Sequence, residues 1–199
     1  ICKGVKPKYY FISGSGNKKD FSEVNLAKIS KSLKQEQLKF GISLSGGDTV
    51  YSNKLSFTIT SVGYSNKVIF RNKAKVNDDI YVTGNLGDSN MGLKVLKNKI
   101  KLVKKDRNYF EKKYFFPEIN KILAKKLFLF ANCSIDVSDG LIDDLEKLIN
   151  KQSLSYKLNL NNIPISKNLE KIIKTKTLKK SSLISKGDDY QILFTASEN

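Results

Sequence analysis

Two aspartates and a serine stand close together in Ser134-Ile135-Asp136-Val137-Ser138-Asp139-Gly140-Leu141. Carboxylates at this spacing repel each other unless a cation lies between them. A hard divalent ion held by carboxylate oxygens and shared with phosphate oxygens relieves the repulsion, and Mg2+ suits such a site best. Cys133, Ile135 and Val137 alternate as a short strand, whereas Leu141, Leu145, Leu148 and Ile149 follow the helical period. The motif therefore falls where a strand gives way to a helix. Backbone N–H groups lack partners at such a point and the helix dipole is positive, which favours an anion. The other reading is structural, with Asp139 capping the helix and Asp136 facing water. The motif alone leaves both open.

Three further stretches combine glycine with polar side chains. Gly46-Gly47-Asp48-Thr49 follows a strand; it is either a backbone approach to phosphate with Asp48 free to hold a metal, or an ordinary turn. Gly84-x-x-Gly87-Asp88-Ser89 is a strand-to-helix glycine turn that could be another phosphate nest, but it reads better as a tight turn capped by Asp88 or Ser89. Gly187-Asp188-Asp189-Tyr190 places two adjacent carboxylates before a strand, as a site or as a solvated turn. Arg71 stands apart in a chain that otherwise uses lysine, because its planar guanidinium clamps phosphate in a way an ammonium cannot. Arg107, the second arginine, shows that one arginine need not be functional. No G-x-x-x-x-G-K-[ST] loop and no protein-kinase loop signature is present. Histidine is absent, which excludes a histidine base, a Ser-His-Asp triad and His-ligated zinc.

These positions need elements to hold them. Tyr9–Ile12 reads as a buried strand and Gly14-Ser15-Gly16-Asn17 as a turn. Asp20-x-x-Glu23 resembles a capped helix start, with Leu26, Ile29 and Leu33 on one face and an end near Leu38–Gly41. Ile42-Ser43-Leu44 is a strand running into the paired glycines. Leu55, Phe57 and Ile59 alternate with polar residues as a half-buried strand. Polar, lysine-rich residues 65–79 suggest a domain junction. Ile80–Thr83 is a strand, Leu93 and Leu96 lie on a helix, and Phe110, Tyr114 and Phe115 lie on another that Pro117 stops. Ile119–Phe130 reads as a helix, Tyr156–Leu160 as a strand, Ser166 as the start of a helix with Leu169, Ile172 and Ile173, and Ile192–Phe194 as a final strand. Irregular alternation of strands and helices indicates an α+β or mixed α/β sandwich and not a doubly wound parallel sheet.

The chain has 199 residues, 36 basic against 19 acidic, for a net charge of +17. That balance invites a nucleic-acid partner. Only Arg71 and Arg107 are arginine, however, and the lysines are spread throughout, so the bias resembles AT-rich coding and not a reading surface. Two cysteines, Cys2 and Cys133, make no disulfide framework, so a reducing cytoplasm is expected. No apolar run approaches the length of a membrane span. The start at Ile1 and the end just after a strand suggest a fragment cut at both ends.

In order and spacing, Gly46-Gly47-Asp48-Thr49, Tyr81-Val82-Thr83-Gly84 with Gly87-Asp88-Ser89, Ile135-Asp136-Val137-Ser138-Asp139-Gly140-Leu141 and Gly187-Asp188-Asp189-Tyr190 resemble the thiamine-monophosphate kinase family across essentially the whole chain. The resemblance implies the aminoimidazole-ribonucleotide-synthetase-like α+β fold. Residues 1–66 would be the remnant of an N-terminal ATP- and Mg2+-binding domain, and 67–199 a C-terminal domain truncated at its end. It also implies Mg2+-dependent transfer of the γ-phosphoryl of ATP onto thiamine monophosphate, in a cytoplasmic homodimer without nucleic-acid or membrane partners. Carried across by position, Asp48, Asp136 and Asp139 would ligate Mg2+, while Gly47, Asp48, Arg71 and Ser138 would contact ATP. Asp188 would contact the substrate, and it falls where the family usually has glutamate. No residue acts as a covalent catalyst in this scheme, and this stretch alone is expected to turn over little. The alternatives are another ATP-using superfamily member, such as a selenophosphate or purine-pathway synthetase, and, from a different class, a basic nucleic-acid-binding module.

Overall fold

Residues 1–198 are described in a computed structural model of the chain. Its contacts divide into two units, one of Ile1 with Val5–Asn66 and one of Cys2–Gly4 with Lys67–Asn199. The first unit holds β1 (Lys6–Gly16), α1 (Glu23–Phe40), β2 (Ser43–Tyr51) and β3 (Ser56–Tyr64). β1 lies in the middle, parallel to β2 and antiparallel to β3. Parallel neighbours need a crossover connection, which α1 supplies. Gly41, in the left-handed conformation at φ +64, ends α1 and donates its N–H to the Gln37 carbonyl at 2.8 Å.

The turn expected at Gly14-Ser15-Gly16-Asn17 begins as strand, and Gly46-Gly47, left open between a phosphate approach and a turn, is strand as well. Gly14 and Gly16 belong to β1, and Gly46 and Gly47 to β2. The register steps from Tyr10 opposite Leu44 to Phe11 opposite Gly46, so Ser45 bulges and Gly46 takes φ +154. A Cβ on Gly47 would overlap the Ile12 carbonyl, so close backbone pairing with β1 requires glycine there. Asp20 does not cap α1 either: its carboxylate accepts the Asn17 N–H at 3.0 Å, and the helix begins after Ser22. Leu55, Phe57 and Ile59 are exposed and not half-buried. An alternating pattern needs a covering layer to bury its apolar face, and α1 has no buried residue.

The second unit is built on an antiparallel sheet of β4 (Asp78–Val82), β5 (Cys133–Asp136) and β6 (Ile192–Ser197), with β6 central. Around it stand α2 (Asp88–Leu96), α3 (Lys104–Phe115), α4 (Lys121–Ala124), α5 (Leu141–Leu148), α6 (Lys167–Lys176) and α7 (Lys180–Ile184). The main core joins Cys133, Ile135 and Val137 from the β5 stretch to Leu141, Leu145 and Leu148 of α5 and Leu193 of β6. Each such leucine, fully buried, contributes on the order of 1.5–3 kcal/mol. A second core joins Met91 of α2, Phe110 of α3 and Leu169, Ile172 and Leu183 of α6 and α7. The α+β class expected from the sequence is the one observed.

Two expected elements differ. The helix over Ile119–Phe130 breaks into α4 and a single 3-10 turn at Leu127–Leu129; the tighter turn puts Leu127 in the core and leaves Phe128 and Leu129 exposed. Tyr156–Leu160 forms no strand. Tyr156 and Leu158 do pack on the main core, so the alternation reflects burial, but a cleft of about 910 Å3 lined by residues 74–82 and 153–159 replaces a ladder with β4.

α2 and α3 pack so closely at Gly92 that a Cβ there would overlap the Phe110 carbonyl. Gly92→Ala should therefore lower the urea-unfolding free energy by about 1–3 kcal/mol, despite the better helix propensity of alanine. An unchanged midpoint would show that the helices separate freely.

Candidate functional site

The turn between β5 and α5 is held from inside. One oxygen of Asp144, Oδ2, accepts the backbone N–H groups of Ser138, Asp139 and Gly140 at 2.8, 2.8 and 3.1 Å. The Asp144 side chain is 1% exposed. The backbone donors that would otherwise invite a phosphate are thus filled by the chain's own carboxylate. Its other oxygen accepts from Lys147 Nζ at 3.0 Å, and the same ammonium pairs with Asp139 Oδ2. Sequence reading missed Asp144; the available signal was a carboxylate in the first turn of α5, four residues beyond Gly140.

A second loop closes on the first. Asp188 N–H donates to the Ser138 carbonyl at 3.0 Å, Tyr190 N–H to the Val137 carbonyl at 2.9 Å, and Val137 N–H to the Gln191 carbonyl at 2.8 Å. A Cβ on Gly187 would overlap the Ser138 carbonyl, and one on Gly140 would meet the Ser185 carbonyl. Asp188 and Tyr190 adopt left-handed φ values of +68 and +50, rare for residues other than glycine. Burial first, then the Asp188 and Asp136 carboxylates, raise the Tyr190 hydroxyl above its usual range, with smaller effects from Tyr114 and Asp139. Asp136, Ser138, Asp139 and Asp188 thus share one end of the second unit.

Residues 2–4 line the same end. Ser134 Oγ donates to the Cys2 carbonyl at 2.5 Å, Lys3 Nζ to the Ser134 carbonyl, and Cys2 Sγ to Asp136 Oδ1 at 3.6 Å. Burial lowers the Lys3 ammonium from its usual range, and the charge of Arg71 acts in the same direction, so Arg71 lies within electrostatic reach of this edge. Arg71 itself is exposed, whereas Arg107 is spent on Glu111 within α3 at 2.7 Å. Gly47 and Asp48 belong to the first unit. Asp48 is exposed, and its Oδ1 accepts the Thr49 N–H at 2.7 Å. Among the described residues, no group of three or more His, Cys, Asp or Glu side chains is disposed to hold a metal ion.

The start of α2 follows the same rule as that of α5. Asp189 is 3% exposed, and its carboxylate accepts the N–H groups of Gly87 and Ser89 at 2.6 and 3.1 Å. The cap expected from Asp88 or Ser89 therefore comes from Asp189, about a hundred residues further on. Asp88 is buried and accepts from Ser166 Oγ at 2.6 Å and Tyr109 Oη at 3.0 Å. The acidic pair at 188–189 is split: Asp188 stays with the site, and Asp189 is structural. Burial raises Asp189 to about 6, against the opposing hydrogen bonds from Gly87 and Ser89.

Because Asp189 binds its proton more tightly when folded, stability should be greatest at acid pH and fall as pH rises from about 4 to about 6, by roughly 2–3 kcal/mol relative to Asp189→Asn. Urea titrations of both proteins across that range give the check, and parallel curves would contradict it. Asp144→Ala should cost about 2–4 kcal/mol, because three N–H groups lose one shared acceptor.

No protein-family model matches the chain. It is 38% identical over 200 residues to a thiamine-monophosphate kinase of Buchnera aphidicola subsp. Schizaphis graminum, a match covering 98% of this chain and 60% of that protein. A thiamine-monophosphate kinase of Haemophilus influenzae is 33% identical, over 96% of this chain and 58% of its own. The fold matches the crystal structure of thiamine monophosphate kinase from Aquifex aeolicus with a TM-score of 0.91 at 24% identity, covering 99% of this chain and 67% of that one. It matches AaThiL complexed with AMPPCP and TMP with a TM-score of 0.90 at 24% identity, covering 98% and 63%. The chain thus spans about 60% of the length of the curated relatives it matches. Along 98% of its own length it is similar to the thiamine-monophosphate kinase of Buchnera aphidicola subsp. Schizaphis graminum.

Proposed function

We propose that the protein is a Mg2+-dependent thiamine-monophosphate kinase, transferring the γ-phosphoryl of ATP to the phosphate of thiamine monophosphate to give thiamine diphosphate. The observation that carries this reading is the end of the second unit where Asp136, Ser138, Asp139 and Asp188 stand on two loops locked to each other. It is supported by homology to kinases of that name and by likeness to a structure named with AMPPCP and TMP. Residues 1–66 are read as part of an ATP- and Mg2+-binding domain and 67–199 as part of a C-terminal domain. The complete enzyme is proposed to work as a cytoplasmic homodimer, without nucleic-acid or membrane partners.

Phosphoryl transfer asks a protein for position and charge, not for covalent chemistry. The acceptor is already a phosphate oxygen, so neither a histidine base nor a phospho-enzyme is needed. Carboxylate oxygens on a rigid turn suit Mg2+, which takes one or two carboxylates and completes its shell with water and phosphate. Asp136 and Asp139 would hold it, and it would supply positive charge against the phosphates. Asp144 and Lys147 keep Ser138 and Asp139 in place, so little reorganisation is needed when the nucleotide arrives. Arg71 would bring a two-pronged donor and Ser138 a hydroxyl to the nucleotide. Asp188 faces the acceptor.

Calorimetric titration of Mg2+ and ATP into the chain tests the reading. Wild type should bind ATP more tightly with Mg2+ than with chelator, and Asp139→Asn should lose about tenfold of that difference, the effect of one charge-assisted contact. Equal affinity with and without Mg2+ in wild type would sink the reading.

A further inference from the structure

The loop bearing Asp188 ends on an aromatic side chain to which the reaction assigns no role. Tyr190 is 42% exposed although its backbone is pinned at φ +50. A bulky residue seldom accepts that conformation, and such outliers persist where the surroundings over-determine them. Here the surroundings are identifiable: its N–H is fixed to the Val137 carbonyl, and two residues earlier Asp188 is fixed to the Ser138 carbonyl. The backbone from which the ring leaves is therefore fixed against the 137–138 turn, between Asp136 and Asp139. The carboxylates of Asp188, Asp136 and Asp139 lie within electrostatic reach of its hydroxyl. An aromatic face carries partial negative charge, and carboxylates at its edge deepen the attraction for a cation.

We propose that Tyr190, flanked by Asp188, is the specificity-determining residue that receives the cationic heteroaromatic ring of the acceptor, the thiazolium of thiamine monophosphate. The identity of that ring rests on the kinase reading; the preference for a flat cation rests on Tyr190 and its carboxylates. The acceptor's phosphate would lie toward Asp136 and Asp139 and its ring toward Tyr190, joined by the two-carbon linker of thiamine monophosphate. A flat cation gains from both the π face and the Asp188 charge, whereas a neutral ring of the same shape gains only stacking.

The test is calorimetric binding of thiamine monophosphate, thiamine and a neutral analogue with thiophene in place of thiazolium, alongside Mg2+-ATP. Tyr190→Phe should bind the two cations within about threefold of wild type, and Tyr190→Ala should lose about tenfold. Tyr190→Asn removes the ring while suiting the left-handed backbone, so it separates loss of the ring from misfolding. Wild type should prefer thiamine over the neutral analogue by about tenfold, and the preference should shrink in the Ala and Asn variants. Undiminished cation binding by a folded Tyr190→Asn, equal binding of the neutral analogue, or no thiamine binding by wild type would overturn the proposal. Tyr190-dependent thiamine binding without Mg2+-dependent ATP binding would remove the kinase reading and keep the aromatic subsite. The converse pattern, with Mg2+-ATP bound and thiamine monophosphate indifferent to Tyr190, would do the reverse.

Discussion

A single carboxylate oxygen decides how the acidic turn behaves. Asp144 Oδ2 satisfies three successive backbone donors from below. This fixes the direction in which the side chains of Ser138 and Asp139 leave the chain. It also removes the strongest rival for a bound phosphate, because the amide groups at the start of α5 already face a negative charge. Anions approaching this end of the unit meet side chains and not backbone. Lys147 completes the frame by tying Asp139 to the same buried group.

The same device recurs at α2, where Asp189 fills Gly87 and Ser89. The two plugs are connected. Asp189 sits between Asp188 and Tyr190, and both of those bond into the 137–138 backbone. One short stretch therefore anchors α2 with one residue and closes on the acidic turn with its neighbours on either side. Burial of Asp189 is costly, as its raised proton affinity shows, and the cost is met by the geometry it imposes on Asp188 and Tyr190. Stability is spent where position matters.

The sequence made the acidic turn, its strand and its helix readable because these depend on local alternation and period. It made Ser166 readable as the start of a helix, and Ser166 Oγ there accepts the Leu169 N–H at 3.0 Å. Partner choice was another matter. Nothing local says that Asp189 and not Asp88 caps α2, since the two are brought together only by the sheet. Glycines misled for a related reason: Gly46-Gly47 has the composition of a turn, yet it serves a bulge pressed against Ile12. Tyr156 and Leu158 alternate because both reach the core, which a strand period does not distinguish from an extended segment without a ladder. Residues Asp136, Ser138, Asp139 and Asp188 could be nominated from sequence, but Asp144 and Lys147 only emerge from the hydrogen bonds.

The seam between the two loops has an evolutionary edge. The chain is rich in lysine and asparagine, and most surface positions can exchange for such residues at little cost. Gly140 and Gly187 cannot, because the smallest side chain at either would collide with the opposing backbone. Mutational pressure that rewrites the exterior must halt at this contact, so the two glycines act as fixed points around which the rest of the sequence is free to wander.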